Sequence, residues 1–209
     1  MGNFQNIRRA QPSHVHLVWA ALCGAQGQAQ ERRPVAAYEG ANEVQLRVDE
    51  LVRHQCGGGL AAFRWYEDIP QILHDGSLDI LIAMARKADE DLQQEFGLPL
   101  GLIIIDTLAF GAGYEANGEN DTAINQKLMN ILRDLARTLN CFVLAVDHYG
   151  KNIEAGTRGN SAKESSADLV LACLGRKSLS GSVEDTRMAV RKNRGGRQGQ
   201  QYSFGTTVV

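Results

Sequence analysis

Four consecutive aliphatic residues end at an acidic one in the segment Leu102-Ile-Ile-Ile-Asp106. A half-exposed strand alternates apolar and polar residues, whereas an uninterrupted apolar run is typical of a parallel strand buried on both faces. Such a strand lies in a sheet that helices cover, so this run predicts an α/β fold. Residues 141–146 form a second apolar run, which ends at Asp147 and His148.

Apolar periodicity and turn residues predict the remaining elements. The clearest helix carries Ile124, Leu128, Ile131, Leu132, Leu135 and Leu139 on one face. Ser77 is predicted to cap a helix that runs towards Phe96. Further helices are predicted at 15–23 and from 42 to the glycines at 57–59, strands at 35–38, 60–65 and 168–174, loops at 111–121 and 149–161, and an antiparallel pair at 186–192 and 201–204. The chain is therefore expected to form a mostly parallel twisted sheet with flanking helices and a C-terminal antiparallel hairpin.

Composition fits one globular domain over residues 1–209, without an internal repeat. The 209 residues are 44% apolar and 22% charged, and the formal net charge of -2 argues against binding nucleic acid by bulk charge. No apolar run approaches the roughly 20 residues that a membrane helix needs, so no membrane partner is expected. The start of the chain lacks a secretory apolar core. Four scattered cysteines without zinc spacing favour a reducing, cytoplasmic location.

Three predicted strands end in a residue that can carry chemistry: Glu39, Asp106, and Asp147 with His148. Ligands of parallel sheets bind outside the carboxyl ends of the strands, so these residues are expected at one sheet edge. Asp106 completes a Walker B pattern and can hold Mg²⁺ through water beside nucleotide phosphates. Glu39 can activate a water molecule, and His148 can hydrogen-bond a phosphate. Each also has a plainer interpretation, as an acidic strand end, a turn residue and a structural histidine.

Two segments are locally basic. Residues 191–197 hold four cations, of which Lys192 and Arg194 are predicted to project from one face. They can reach a neighbouring subunit's phosphates as arginine fingers do, grip a nucleic-acid backbone, or form a solvated turn. The glycine-containing loop 149–161, with Lys151 and Arg158, can follow single-stranded nucleic acid or be an ordinary surface loop.

Taken together and in this order, the motifs resemble those of the RecA-like AAA ATPases of phages and plasmids, the RepA-like group of hexameric replicative helicases. The resemblance covers residues 35–204 and leaves 1–34 as an atypical N-terminus. Its most specific part is His148-x-Gly-Lys151 followed by Arg158-Gly-x-Ser161. The other matching segments are Val35-Ala-Ala-Tyr-Glu-Gly40, Leu102-Ile-Ile-Ile-Asp-Thr107, Glu119-Asn-Asp121 and Arg191-Lys-Asn-Arg-Gly195.

The resemblance implies a RecA-like P-loop NTPase core, ATP and Mg²⁺ as cofactors, a hexameric ring of identical chains and single-stranded DNA as partner. It also implies roles for the matched residues. Glu39 is the catalytic carboxylate, Asp106 with Thr107 beside it binds the magnesium nucleotide, His148 senses the phosphate, Lys192 and Arg194 act across subunits, and Lys151, Arg158 and Ser161 belong to the loop that faces DNA.

This sequence departs from the family pattern in two places. The family often has two histidines where this chain has Asp147 and His148. A G-x-x-x-x-G-K-[ST] loop is also expected roughly 30 residues before Glu39, where residues 5–15 contain neither glycine nor lysine. An N-terminal truncation or frameshift, a pseudo-enzyme and an unusual nucleotide-binding N-terminus are the explanations, and the first is favoured.

The missing loop predicts weak or absent ATP hydrolysis. Two other functions remain open from the sequence. One is a non-catalytic RecA-like module for oligomer assembly or DNA contact. The other is a metal hydrolase that uses Glu39, Asp106 and His148.

Overall fold

The computed structural model describes residues 33–37, 62–148, 161–179 and 182–205. Its strands are β1 (Arg33–Ala37), β2 (Arg64–Tyr66), β3 (Leu100–Asp106), β4 (Phe142–Val146), β5 (Leu169–Lys177), β6 (Val183–Asn193) and β7 (Gln201–Ser203). Its helices are α1 (Ser77–Phe96), α2 (Leu108–Ala112), α3 (Thr122–Leu139) and α4 (Ala162–Ser166), with a single 3₁₀ turn at Gly118–Asn120.

A four-stranded parallel sheet forms the centre, in the order β2-β1-β3-β4. Val35 pairs with Ile103 across β1 and β3, and Ile104 pairs with Leu144 across β3 and β4. The prediction of a parallel sheet built around residues 102–106 is thus confirmed. The strand predicted at 60–65 overlaps β2, which runs one residue beyond it.

The interior β3 strand is buried on both faces, as its uninterrupted apolar sequence indicates. Ile103 and Ile105 face a core formed with α1, α2 and α3, while Ile104 and Val146 form a second cluster on the opposite face. Ile104 is completely buried, because side chains alternate across the pleat and both sides of this strand are covered.

The two long helices agree with their predicted extents. Their N-termini are capped in different ways. The residue before α1 is Gly76, in the left-handed conformation with φ 80°. Ser77 is the first helical residue, and its buried hydroxyl donates to the carbonyl of Ile72 at 2.6 Å. The prediction that Ser77 caps α1 was therefore wrong, since its oxygen serves the preceding turn. Helix α3 is capped by Asp121, whose carboxylate accepts the amide of Ile124 at 2.9 Å.

The C-terminal strands form a separate antiparallel sheet, in the order β5-β6-β7. The predicted hairpin is confirmed as β6 and β7, where Met188 pairs with Tyr202. The sequence did not predict that β5 joins it, with Cys173 opposite Met188. Helix α4 was also not predicted. The helices predicted at 15–23 and from residue 42, and the loop 149–160, lie outside the described residues. In the part of the chain that the structure describes, no helix is long and apolar enough to cross a membrane.

Candidate functional site

Two acidic strand ends lie side by side at the carboxyl edge of the central sheet. Asp106, the last residue of β3, pairs in register with Val146, the last residue of β4. Asp147 and His148 therefore follow directly on the strand next to Asp106. The Asp106 residue is 7% exposed. The structure thus places Asp106 and His148, two of the three residues predicted for one site, at the ends of adjacent strands.

Thr107 connects the end of β3 to helix α2. Its backbone is extended, and the Asp106–Thr107 peptide bond is cis. The Thr107 carbonyl accepts the amides of Phe110 at 3.2 Å and Gly111 at 3.0 Å. Thr107 therefore defines where the chain leaves the sheet edge, with its side chain half-buried beside Asp106.

Asp147 forms a buried ion pair that the sequence did not indicate. Its Oδ2 accepts from Lys163 Nζ at 2.6 Å, and the two side chains are 9% and 4% exposed. Its Oδ1 accepts the backbone amide of His148 at 2.8 Å. The ammonium of Lys163 also lies 6.0 Å from the ring centroid of Tyr114. Asp147 is thus held by donors on both oxygens.

A second polar network is centred on Asn125 and includes Tyr114, whose ring lies near Lys163. Tyr114 donates to Asn125 Oδ1 at 2.6 Å, and Asn125 Nδ2 donates to the carbonyls of Glu119 at 2.8 Å and Asp121 at 2.7 Å. Burial, with the negative charges of Asp147 and Glu119, raises the pKa of the Tyr114 phenol well above its usual value. The network ties the segment between α2 and α3 to the neighbourhood of Asp147.

Sequence reasoning missed Lys163, Tyr114 and Asn125. A signal for Asn125 exists, because it precedes Leu128 by three residues and Leu132 by seven on the same helix. Those spacings put it on the inward face of α3, where a polar residue needs hydrogen-bond partners. Lys163 carries no comparable signal, since it stands in a polar stretch and only the tertiary structure buries it.

The two basic residues proposed as fingers contact their own chain. Lys192 Nζ donates to the carbonyls of Glu164 at 3.0 Å and Ser165 at 2.6 Å. Arg194 forms an ion pair with Asp168 at 2.8 Å, and its amide donates to the Asp168 carbonyl. Both residues are therefore held against the segment 164–168.

The other predicted site residues are placed only in part. Ser161 is exposed and precedes α4, where its carbonyl accepts the amide of Ser165 at 2.9 Å. Glu39, Lys151 and Arg158 lie outside the described residues. Among the residues that are described, no group of three histidine, cysteine or acidic side chains is arranged to hold a metal ion.

The chemistry available at this edge is that of a carboxylate and an imidazole on neighbouring strands. Mg²⁺ in nucleotide sites takes one or two protein carboxylates and completes its shell with water and phosphate oxygens. The nearly buried Asp106 carboxylate fits that requirement. The imidazole of His148 can donate a hydrogen bond to a phosphate oxygen. Asp106 and His148 are therefore the two described residues at this edge that could hold a magnesium nucleotide.

These features define an α/β domain with an acidic site at the carboxyl edge of a parallel sheet. A sequence model described as an AAA domain matches residues 14–154. This match covers more than half of the chain, and the chain belongs to this AAA domain family. The matched part contains β1 to β4 with Asp106, Asp147 and His148, whereas β5 to β7 lie beyond it.

The chain is also similar in sequence to a curated protein that is a DNA helicase. The chain is 34% identical over 112 residues to the replicative DNA helicase DnaB of Nostoc sp. strain PCC 7120. The aligned segment covers 54% of this chain and 12% of that helicase.

Proposed function

We propose that this chain is a RecA-like, ATP-binding domain of a replication protein of the helicase type. The observation that carries the proposal is the register between Asp106 and Val146, which sets the Asp106 carboxylate beside the strand end that bears His148. Membership of an AAA domain family and the similarity to a replicative DNA helicase support it.

In this proposal each residue of the site has a separate role in binding Mg-ATP. Asp106, with Thr107 beside it, holds Mg²⁺ through water, and His148 contacts the γ-phosphate. In a form of this domain that hydrolyses ATP, Glu39 would orient the attacking water molecule. Mg²⁺ held by Asp106 would supply positive charge beside the phosphate oxygens.

Lys192 and Arg194 act on the nucleotide of the neighbouring subunit in a hexameric ring. For this they exchange their present contacts with residues 164, 165 and 168 for contacts across the subunit interface. The segment that contains Lys151, Arg158 and Ser161 contacts single-stranded DNA.

Nucleotide binding is the direct test. We expect calorimetry with Mg²⁺ and a non-hydrolysable ATP analogue to show saturable binding to the 209-residue chain. Asp106→Ala should weaken it at least about tenfold, because the carboxylate that orders the magnesium shell is lost. Asp134→Ala, an exposed site in the middle of α3, is the matched control and should bind normally. Absence of saturable binding would overturn the proposal.

Turnover is a separate expectation. The chain contains no G-x-x-x-x-G-K-[ST] segment, whose amides and lysine neutralise and hold the phosphates. Hydrolysis by this chain should therefore stay near the background rate, with or without single-stranded DNA. Phosphate release that Asp106→Ala abolishes, at a rate of several turnovers per minute, would contradict this expectation.

A non-catalytic module for oligomer assembly or DNA contact is the second candidate. The contacts that Lys192 and Arg194 make within their own chain favour it, because both residues already stabilise that chain. It predicts assembly or DNA binding that is independent of nucleotide. Analytical ultracentrifugation and DNA-binding titrations, each with and without the ATP analogue, distinguish the two functions.

A further inference from the structure

Lys163 is a charged residue whose side chain is almost completely buried. Its side chain is only 4% exposed, and its Nζ lies 2.6 Å from Asp147 Oδ2. Removing an ammonium from water is costly unless a counter-charge with good geometry compensates for it. The pair therefore fixes two segments to each other: Asp147 directly after β4, and helix α4, which carries Lys163.

The Asp147 carboxylate passes this constraint on to His148. One of its oxygens accepts from Lys163, and the other accepts the backbone amide of His148 at 2.8 Å. A carboxylate that is held at both oxygens has little freedom to rotate. The ammonium of Lys163 is thus connected through one intervening side chain to the backbone amide of His148.

Helix α4 is itself held from two sides. Lys192 on β6 donates to carbonyls of its last turn, where a cation is also favoured by the helix dipole. Ser166 donates to Gln126 of α3 at 2.9 Å. Since α4 has only five residues, these contacts and not intrinsic helix stability fix its position.

We propose that Lys163 is a positioning residue for His148, and that α4 couples the position of His148 to Lys192 on β6. The assignment of a phosphate to His148 rests on the proposed function, but the anchoring of His148 does not. When Lys192 leaves the carbonyls of α4, the Lys163–Asp147 pair shifts and the His148 backbone moves with it.

The anchoring is tested by amide exchange in the nucleotide-free 209-residue chain. We expect Lys163→Met to speed exchange of the His148 amide at least about tenfold, because its acceptor is no longer held. Lys127→Met, at a lysine whose side chain is 57% exposed, should leave that amide unchanged. Equal exchange of the His148 amide in both variants and the wild type would overturn the proposal.

Lys163→Met leaves the Asp147 carboxylate without its counter-charge, and this variant risks unfolding. The double variant Lys163→Met/Asp147→Asn removes both charges. It should unfold at a urea concentration close to that of the wild type while the His148 amide still exchanges faster. Asp147→Asn alone also changes the acceptor of the His148 amide but keeps Lys163, so it is the reference. Exchange in the double variant that is no faster than in Asp147→Asn also overturns the proposal.

Coupling to β6 is tested with Lys192→Met. This variant should displace the His148 amide resonance, and should add no further displacement in the Lys163→Met/Asp147→Asn background, where the connection is already broken. Arg197→Met, on the same hairpin, is the control. Additive displacements would show that the two lysines act independently, against the proposal.

Nucleotide affinity then separates this inference from the proposed function. If the wild type binds the Mg-ATP analogue, the double variant should bind it several-fold more weakly, while Lys127→Met binds normally. Unchanged affinity in the double variant would contradict the positioning role. If the wild type does not bind, the proposed function fails, and the amide exchange still decides the anchoring.

Discussion

Asn125 shows how much one buried polar residue contributes here. It is 0% exposed, and the three hydrogen bonds of its side chain go to the segment between α2 and α3. A buried amide with satisfied partners is nearly neutral for stability, but its removal takes a buried hydrogen bond from each of those partners. Asn125 therefore specifies the path of the chain from β3 to α3.

Asn125→Ala should lower the free energy of unfolding by about 3 kcal/mol, because the Tyr114 hydroxyl and two carbonyls lose a buried partner. Urea denaturation measures this change. Asn130→Ala removes an exposed asparagine further along α3, and its effect should stay within about 0.5 kcal/mol. Similar values for the two variants would show that the Asn125 network contributes little.

At the scale of the elements, α3 and α4 are stabilised in different ways. Helix α3 has 18 residues, a capping aspartate and a continuous buried face. Helix α4 has five residues and depends on side chains from β6, from α3 and from Asp147, which follows β4. Local sequence can therefore predict the first helix but not the second.

Asp121→Ala should destabilise the protein by about 1 kcal/mol, because the amide of Ile124 loses its capping acceptor at the N-terminus of α3. Thermal and urea unfolding both report this loss. Asp134→Ala replaces an exposed aspartate within the same helix, where alanine has the higher helix propensity. It should be neutral or slightly stabilising, and an equal loss at both positions would contradict the capping role.

The glycines that follow α1 and α2 form a matched pair for substitution by alanine. Gly113 has φ 68°, and an added Cβ would lie 2.5 Å from Gln71 Cβ. Gly97, at the end of α1, has φ 66° and open space around it. Gly97→Ala should cost about 1 kcal/mol from backbone strain alone, and Gly113→Ala about 2–3 kcal/mol from strain plus overlap. Comparison of the two urea midpoints checks this ranking, and the reverse order would contradict it.

For the whole molecule, alkaline pH should be destabilising. Burial raises the pKa of Tyr114, Tyr66 and the Cys173 thiol, with nearby carboxylates adding to the effect on both tyrosines. The folded chain then keeps protons that the unfolded chain releases above the ordinary values of 9.0 for the thiol and 10.0 for the tyrosines. Stability therefore falls as the pH rises through this range.

Urea unfolding at a series of pH values between about 8 and 11 measures this slope. Tyr114→Phe removes one of the contributing groups, so its stability should fall less steeply with pH even though its stability at neutral pH is lower. Tyr202→Phe, at an exposed tyrosine, is the control. A wild-type slope in Tyr114→Phe would contradict the role of Tyr114.

Particular residues show which features of the fold and of the site could be predicted from the sequence. The burial of Ile103, Ile104 and Ile105 followed from their uninterrupted run, because only a covered parallel strand leaves no position for a polar residue. The convergence of Asp106 and His148 followed from the parallel arrangement of their strands. The roles assigned to these residues remain predictions, as do those of Glu39, Lys151 and Arg158.

The sequence by itself determined the parallel strands, the extents of α1 and α3 and the β6–β7 hairpin, because periodicity and turn residues are local properties. Only the tertiary structure decided that β5 pairs with β6, that Asn125 rather than Ile124 turns fully inward, and that Lys163 reaches Asp147. Those outcomes depend on which distant segments meet, and the free energy of a buried charge or amide depends on partners that no local pattern records.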